Sequence, residues 1–148
     1  SVYLYPSLGL FEGTIVSVGR GTDKPFQIIG HPKLKKGNFS FTPVGKTGAK
    51  EPPYKEEKCN GMDLTEFGSV YIKNLKSLYL FWLIACYEDA PDKKNFFNSY
   101  FNSLAGTGLL KEQITQGVSE EAIRETWQTG LKNFKPIRKK YLLYVDFE

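Results

Sequence analysis

The chain of 148 residues carries 20 lysines and arginines against 16 aspartates and glutamates, a formal charge of +4. Its 41% hydrophobic and 15% aromatic content excludes a disordered chain, and the length fits one domain, residues 1–148, able to bury a core without staples. A single histidine, two cysteines and dispersed acids exclude a metal site and a disulfide framework. No cofactor is expected.

Residues 2–30 read as short extended pieces separated by glycine. Val2 to Tyr5 is the first, closed by Pro6, and Phe26 to Ile29 is another between Pro25 and Gly30. In "FSFTPV", residues 39–44, Phe39 and Phe41 alternate with Ser40 and Thr42 as in a strand. The segment 45–61, "GKTGAKEPPYKEEKCNG", is a polar loop ending on the turn signal Asn60-Gly61, beside which Cys59 should be partly exposed.

From Leu64 onward the pattern is helical. In 69–87, Ile72, Leu75, Leu78, Tyr79, Trp82, Ala85 and Cys86 recur three and four apart, with Phe81, Leu83 and Ile84 widening the apolar face. This helix should be buried on most sides, with Cys86 a small core hydrophobe, and Asp89-Ala90-Pro91 ends it. A second helical stretch holds Phe96, Phe97, Tyr100, Phe101 and Leu104. A short helix over 107–116 follows, with Gly117 at its C-terminus. The last helix opens on Ser119 as N-cap, with Glu120 and Glu121 in its first turn and a Val118–Ile123 staple. Ile123, Trp127, Leu131 and Phe134 mark its buried stripe, and Pro136 should kink or restart it before an extended "YLLYVDF". The expected class is α+β: a glycine-rich β and loop half packed on three or four C-terminal helices.

The basic runs "KLKKG" at 33–37 and "KNFKPIRKKY" at 132–141 read as a solvated loop and the C-terminal face of a helix, so no nucleic-acid partner is expected. The longest apolar run, Leu78 to Cys86, is too short to span a bilayer, and no leader pattern opens the sequence. The initial Ser1 suggests a processed chain or an excised domain.

The most informative stretch is "GLFEGTIVSVGRGTDKPF", residues 9–26. "GRGT" is not a phosphate loop, because Asp23-Lys24-Pro25 leads into a strand where that motif requires Lys, a hydroxyl residue and a helix. What remains is one acid, Glu12, one base, Arg20, and the hydroxyls of Thr14, Ser17 and Thr22. Arginine between two glycines can grip a carboxylate, and the hydroxyls can serve sugar or carboxylate oxygens. A structural turn in which Glu12 and Arg20 pair with each other explains the same residues equally well.

The segments "YPSLGLFEGTIVSVGRGTDKPFQIIGHP", "FTPV", "CNGMDL" and "LAGTGLLKEQITQGVSEEAIRETWQTGLKNFKPIRKKYLLYVDFE" together resemble the C-terminal part of the NamZ-type exo-β-N-acetylmuramidases, exported bacterial proteins. The resemblance implies an N-terminal Rossmann-like domain, absent from this sequence, that supplies the catalytic carboxylate and closes a cleft against this one. It implies a substrate as well: a terminal N-acetylmuramic acid of a peptidoglycan fragment, whose lactyl carboxylate would face Arg20. On that reading Glu12, Thr14, Ser17, Arg20 and Thr22 are substrate-binding, no catalytic residue lies in this chain alone, and the location is exported. A non-catalytic glycan-binding module is the competing class.

Overall fold

The computed structural model describes residues 1–75 and 77–146. The chain opens with helix α1 (Tyr5–Leu8), which runs into a 3-10 turn over Gly9–Gly13. Strands β1 (Ile28–His31), β2 (Phe39–Phe41) and β3 (Cys59–Asp63) form an antiparallel sheet of order β1-β3-β2. Ile29 stands opposite Met62 and Phe39 opposite Gly61. Helices α2 (Thr65–Phe67), a π turn over Gly68–Ile72, α3 (Lys73–Leu75), α4 (Phe81–Asp89), α5 (Phe101–Ala105), α6 (Leu109–Thr115) and α7 (Glu120–Lys139) complete it. The architecture is α+β, as the composition of the two halves predicts. One apolar core takes Leu4, Leu8 and Phe11 from the first turns, Ile29 from the sheet, and Trp82, Phe96, Phe101 and Ile123 from the rest.

Several local expectations hold. Ser119 is the N-cap of α7, its Oγ accepting from the Ala122 N–H at 3.3 Å, and Gly117 follows α6 with φ of 74°. Strands stand at 28–31 and 39–41, each within about two residues of its expected start.

Other expectations are overturned. Val2 to Tyr5 is not a strand: Pro6 sits in the first turn of α1, where its missing N–H costs nothing. The 69–87 helix is interrupted before Leu80, because the backbone there bonds to side chains from distant segments. Ser7 Oγ accepts from the Tyr79 N–H at 2.8 Å, Glu120 Oε1 accepts from the Leu80 N–H at 3.1 Å, and Arg124 Nη2 donates to the Leu78 carbonyl. Those partners replace the bonds a continuous helix would supply internally. Phe96 and Phe97 are buried, but they precede α5, Phe96 at the end of a turn from Lys93 and Phe97 in an isolated bridge to Thr14.

The missed element is β3. Asn60-Gly61, expected as a turn, lies inside the central strand, and Cys59 beside it is fully buried. Both cysteines are free. Helix α7 does not restart at Pro136. The ring removes one N–H partner from the Lys132 carbonyl, on an exposed turn where that group can meet solvent. Of the expected buried stripe only Ile123 is buried; Trp127 is half-buried, and Leu131 and Phe134 are exposed. The described part of "YLLYVDF" forms no strand, and its Phe147 lies outside the described residues.

Candidate functional site

The glycine-rich stretch is stitched to the scaffold on two sides. Ser17 exchanges both backbone hydrogen bonds with Gly30 of β1, at 2.8 and 3.0 Å. The Ile15 N–H donates to the Phe96 carbonyl at 3.0 Å, beside a Thr14–Phe97 bridge. A strip of loop thus takes its geometry from the sheet and from the buried Phe96–Phe97 segment.

Arg20 stands at the turn of this strip, and the two glycines around it answer to geometry. Gly19 and Gly21 have φ of 75° and 81°, a region L side chains rarely adopt. A Cβ on Gly19 would lie 2.5 Å from the Ile28 side chain, and one on Gly21 would lie 2.7 Å from the Val44 carbonyl. Both sides of Arg20 are therefore pressed against packed structure, while its own side chain is 44% exposed. The guanidinium carbon sits 5.0 Å from the centre of the Phe26 ring, a cation–π position. Phe26 itself holds a positive φ of 56°.

Glu12 comes from the 3-10 turn, whose carbonyl at the same residue accepts from Asn98 Nδ2 at 3.2 Å. Arg20 Nε and Nη2 both donate to Glu12 Oε1, at 3.2 and 2.7 Å. The internal acid–base pair that the structural-turn reading called for is formed, and it lines a concavity of about 190 Å³ together with Phe11, Thr14, Ser17 and Tyr54.

The hydroxyls have internal partners. Thr14 Oγ1 donates to the Phe11 carbonyl at 2.8 Å and accepts from the Val16 N–H. Ser17 is buried, and its Oγ accepts from the Gly19 N–H at 3.2 Å. Thr22 Oγ1 donates to the Gly19 carbonyl at 2.7 Å and accepts from the Lys24 N–H. These bonds shape the turns that carry Arg20. Glu12, Thr14, Ser17 and Arg20 share the concavity, whereas Thr22 does not line it.

Tyr54, inside the polar loop, is the site residue that the sequence reading missed. Its backbone has φ of 58°, and its hydroxyl donates to the Ile15 carbonyl at 2.5 Å, pinning the ring against the strip. His31 of β1 meets that ring edge-on at 4.9 Å and uses Nδ1 to accept from the Lys33 N–H. Burial, with the charge of Lys33, holds the imidazole pKa below its ordinary value. The signal available in the sequence was Pro52-Pro53-Tyr54, a stiffened aromatic in an otherwise charged loop. Among the described residues no group of three or more histidines, cysteines or acids is placed to hold a metal ion.

Residues 3–144 match the family described as exo-beta-N-acetylmuramidase NamZ, C-terminal. The chain belongs to the NamZ C-terminal family. The peptidoglycan beta-N-acetylmuramidase NamZ of Bacillus subtilis (strain 168) is 30% identical over 166 residues, covering 97% of this chain and 37% of that protein. The crystal structure of a DUF1343 family protein from Bacteroides fragilis NCTC 9343 superposes with a TM-score of 0.92 at 41% identity, over 98% of this chain and 41% of that one. A second DUF1343 structure from the same organism, at 18% identity and a TM-score of 0.67, shares the fold. The chain therefore spans about two-fifths of the length of the relatives it matches. Membership in the NamZ C-terminal family covers the whole glycine-rich strip, and with it the Glu12–Arg20 concavity.

Proposed function

We propose that this chain is the substrate-cleft domain of a peptidoglycan-directed exo-β-N-acetylmuramidase, with the Glu12–Arg20 concavity as its wall. The observation that carries the reading is the way these two residues meet. Two N–H groups of Arg20, on Nε and Nη2, converge on one carboxylate oxygen, and neither Glu12 Oε2 nor Arg20 Nη1 has a hydrogen-bond partner among the described residues. A carboxylate on the sugar can take the remaining guanidinium N–H groups, while Glu12 Oε2 accepts from a hydroxyl. N-acetylmuramic acid offers both groups. The concavity, at about 190 Å³, is smaller than the roughly 300–1,000 Å³ of complete small-molecule sites, which suits one wall of a cleft closed by a second body.

Glycoside hydrolysis normally uses two placed carboxyl groups, and Glu12 is the one acid among the described residues lining this concavity. The reaction would then need carboxyls from the Rossmann-like part of a longer, exported polypeptide. The same single acid favours the second reading, a glycan-binding module without catalysis. Assay of this chain and of the full polypeptide on a chromogenic muramide separates them: no turnover by the chain and clear turnover by the full polypeptide are expected. An inactive full polypeptide that still binds the sugar establishes the module instead. Turnover by the chain alone, lost in Glu12→Gln, overturns the assignment of a non-catalytic wall.

A further inference from the structure

Arg20 and Phe26 sit in two consecutive turns of the same build. The Thr22 N–H donates to the Gly19 carbonyl and the Gln27 N–H to the Lys24 carbonyl, each at 3.1 Å. The third residue of each turn has a positive φ, 81° at Gly21 and 56° at Phe26. Pro25, second in the later turn, has its φ fixed at a negative value, which makes that turn type II. Such a turn ordinarily places glycine third, because glycine enters that region without steric cost. The turn around Arg20 follows the rule; the next one puts a phenylalanine there. A large side chain in that conformation persists only where its surroundings over-determine it, and such residues cluster at ligand sites. At Phe26 the surroundings include a 2.7 Å bond from its N–H to the Val18 carbonyl, two residues before Arg20.

Phe26 is half-buried at the margin of the core, and its ring meets two exposed residues. The Arg20 guanidinium carbon lies over it, 5.0 Å from its centre, and the Tyr5 ring is tilted against it at 4.8 Å. Glu12 alone does not fix the guanidinium. Arg20 Nε and Nη2 share Oε1, and a single acceptor atom is a pivot about which the planar group can swing. A ring held against the guanidinium blocks that swing, and its π electrons favour the cation.

We propose that Phe26 is a positioning residue for carboxylate recognition, acting through Arg20. It holds the guanidinium so that Nη1, which has no partner among the described residues, is presented in one direction to a ligand carboxylate. The inference rests on the proposed reading of the Glu12–Arg20 concavity as the wall of a sugar cleft. An arginine free to sample its rotamers would be ordered only on binding, at a cost in affinity. Here the fold orders it beforehand, and a phenylalanine in a glycine conformation is the means.

The test pairs a signal from Arg20 itself with the sugar preference of the full polypeptide. Phe26→Leu keeps an apolar side chain and loses the ring, whereas Phe26→Tyr keeps the ring. The NMR order parameter of the Arg20 Nε–H should be high in this chain and in Phe26→Tyr, and should fall below about 0.6 in Phe26→Leu. In the full polypeptide Phe26→Leu should lower the preference for N-acetylmuramic acid over N-acetylglucosamine about three- to tenfold, the cost of ordering one long side chain on binding. Phe26→Tyr should retain the preference. Phe26→Gly relieves the positive φ as it removes the ring, and should lower the preference as far as Phe26→Leu does. An Arg20 side chain that is mobile in the unaltered chain, or equally ordered in Phe26→Leu, overturns the proposal. So does a fall in melting temperature of the leucine and glycine variants with their preference unchanged, which would leave Phe26 a packing role alone. Arg20→Lys keeps the two readings apart. Unchanged preference in that variant refutes the cleft wall, whereas lowered preference there beside an unchanged one in Phe26→Leu refutes the role of Phe26.

Discussion

Arg20 reaches back eight residues to Glu12 and spends Nε and Nη2 on the same oxygen, Oε1, at 3.2 and 2.7 Å. With both bonds on a single oxygen, Glu12 keeps Oε2 and Arg20 keeps Nη1 able to bond elsewhere. The pair is partly exposed, 44% for Arg20 and 29% for Glu12, so solvent screening limits its contribution to stability to about 0–1 kcal/mol.

That asymmetry gives the first prediction. Arg20→Lys in the full polypeptide keeps the charge and removes the planar fork. The preference for N-acetylmuramic acid over N-acetylglucosamine should fall about ten- to a hundred-fold, the equivalent of a charge-assisted hydrogen bond worth about 1.5–3 kcal/mol. The melting temperature should change little. Competition binding with both sugars reads the result, and a stability loss with unchanged preference would reduce the pair to a turn brace.

The second prediction concerns pH. His31 is buried and neutral, and its folded pKa lies below 6.5 because of burial first and the charge of Lys33 second, with Glu57 opposing. A depressed folded pKa means that the unfolded chain binds the proton more readily. Stability from this group is complete above about pH 6.5 and declines as pH falls toward the folded value. As the only histidine, it gives one imidazole signal by NMR. Its midpoint should lie below 6.5, with the ring in the Nε2–H form that its bond from Lys33 N–H requires. A midpoint above 6.5 contradicts the packing of His31 against Tyr54.

Thiol chemistry provides the third. Burial raises the Cys59 pKa to about 11, with Glu57 adding to it, and raises Cys86 to about 12, with Asp89 adding. Iodoacetamide at pH 8 should therefore leave both unmodified in the folded chain and alkylate both in denaturant. Native-state labelling of Cys59 measured by mass spectrometry would mean that β3 frays at its first residue.

The fourth prediction addresses the core. Trp82 is 4% exposed and packs its ring against Phe67 and Tyr79, with centroids 5.0 and 4.6 Å away. Trp82→Ala should cost about 3–5 kcal/mol in urea unfolding. A loss under about 1 kcal/mol would show that the aromatic cluster adds little beyond area.

What the sequence made legible was local. Ser119 and its acidic first turn mark the start of α7, and glycines on both sides of Arg20 announce a loop that only glycine can turn. The hidden features depend on partners far along the chain. Residues 78–80 have a helical pattern, yet their backbone is taken by Ser7, Glu120 and Arg124. Asn60-Gly61 has turn chemistry, yet it forms the middle of the sheet because β1 and β2 pair on either side. The stripe of α7 has a core pattern that continues beyond the core. Tyr54 enters the site through a hydroxyl bond to Ile15, 39 residues away, which no local periodicity encodes.

The three residues Leu78, Tyr79 and Leu80 are bonded at once by the seventh residue of the chain and by the first turns of α7. Loss of α1 or of the first turns of α7 therefore strips hydrogen bonds from residues 78–80, immediately before α4. Neither α1 nor the start of α7 can melt as an independent local unit, and partial opening of one is opposed by the cost of orphaning buried backbone. The domain is expected to exchange its slow amides in a single cooperative step, with α1, the approach to α4 and the start of α7 sharing one protection factor. A cleft wall mounted on such a frame keeps its shape while a ligand comes and goes.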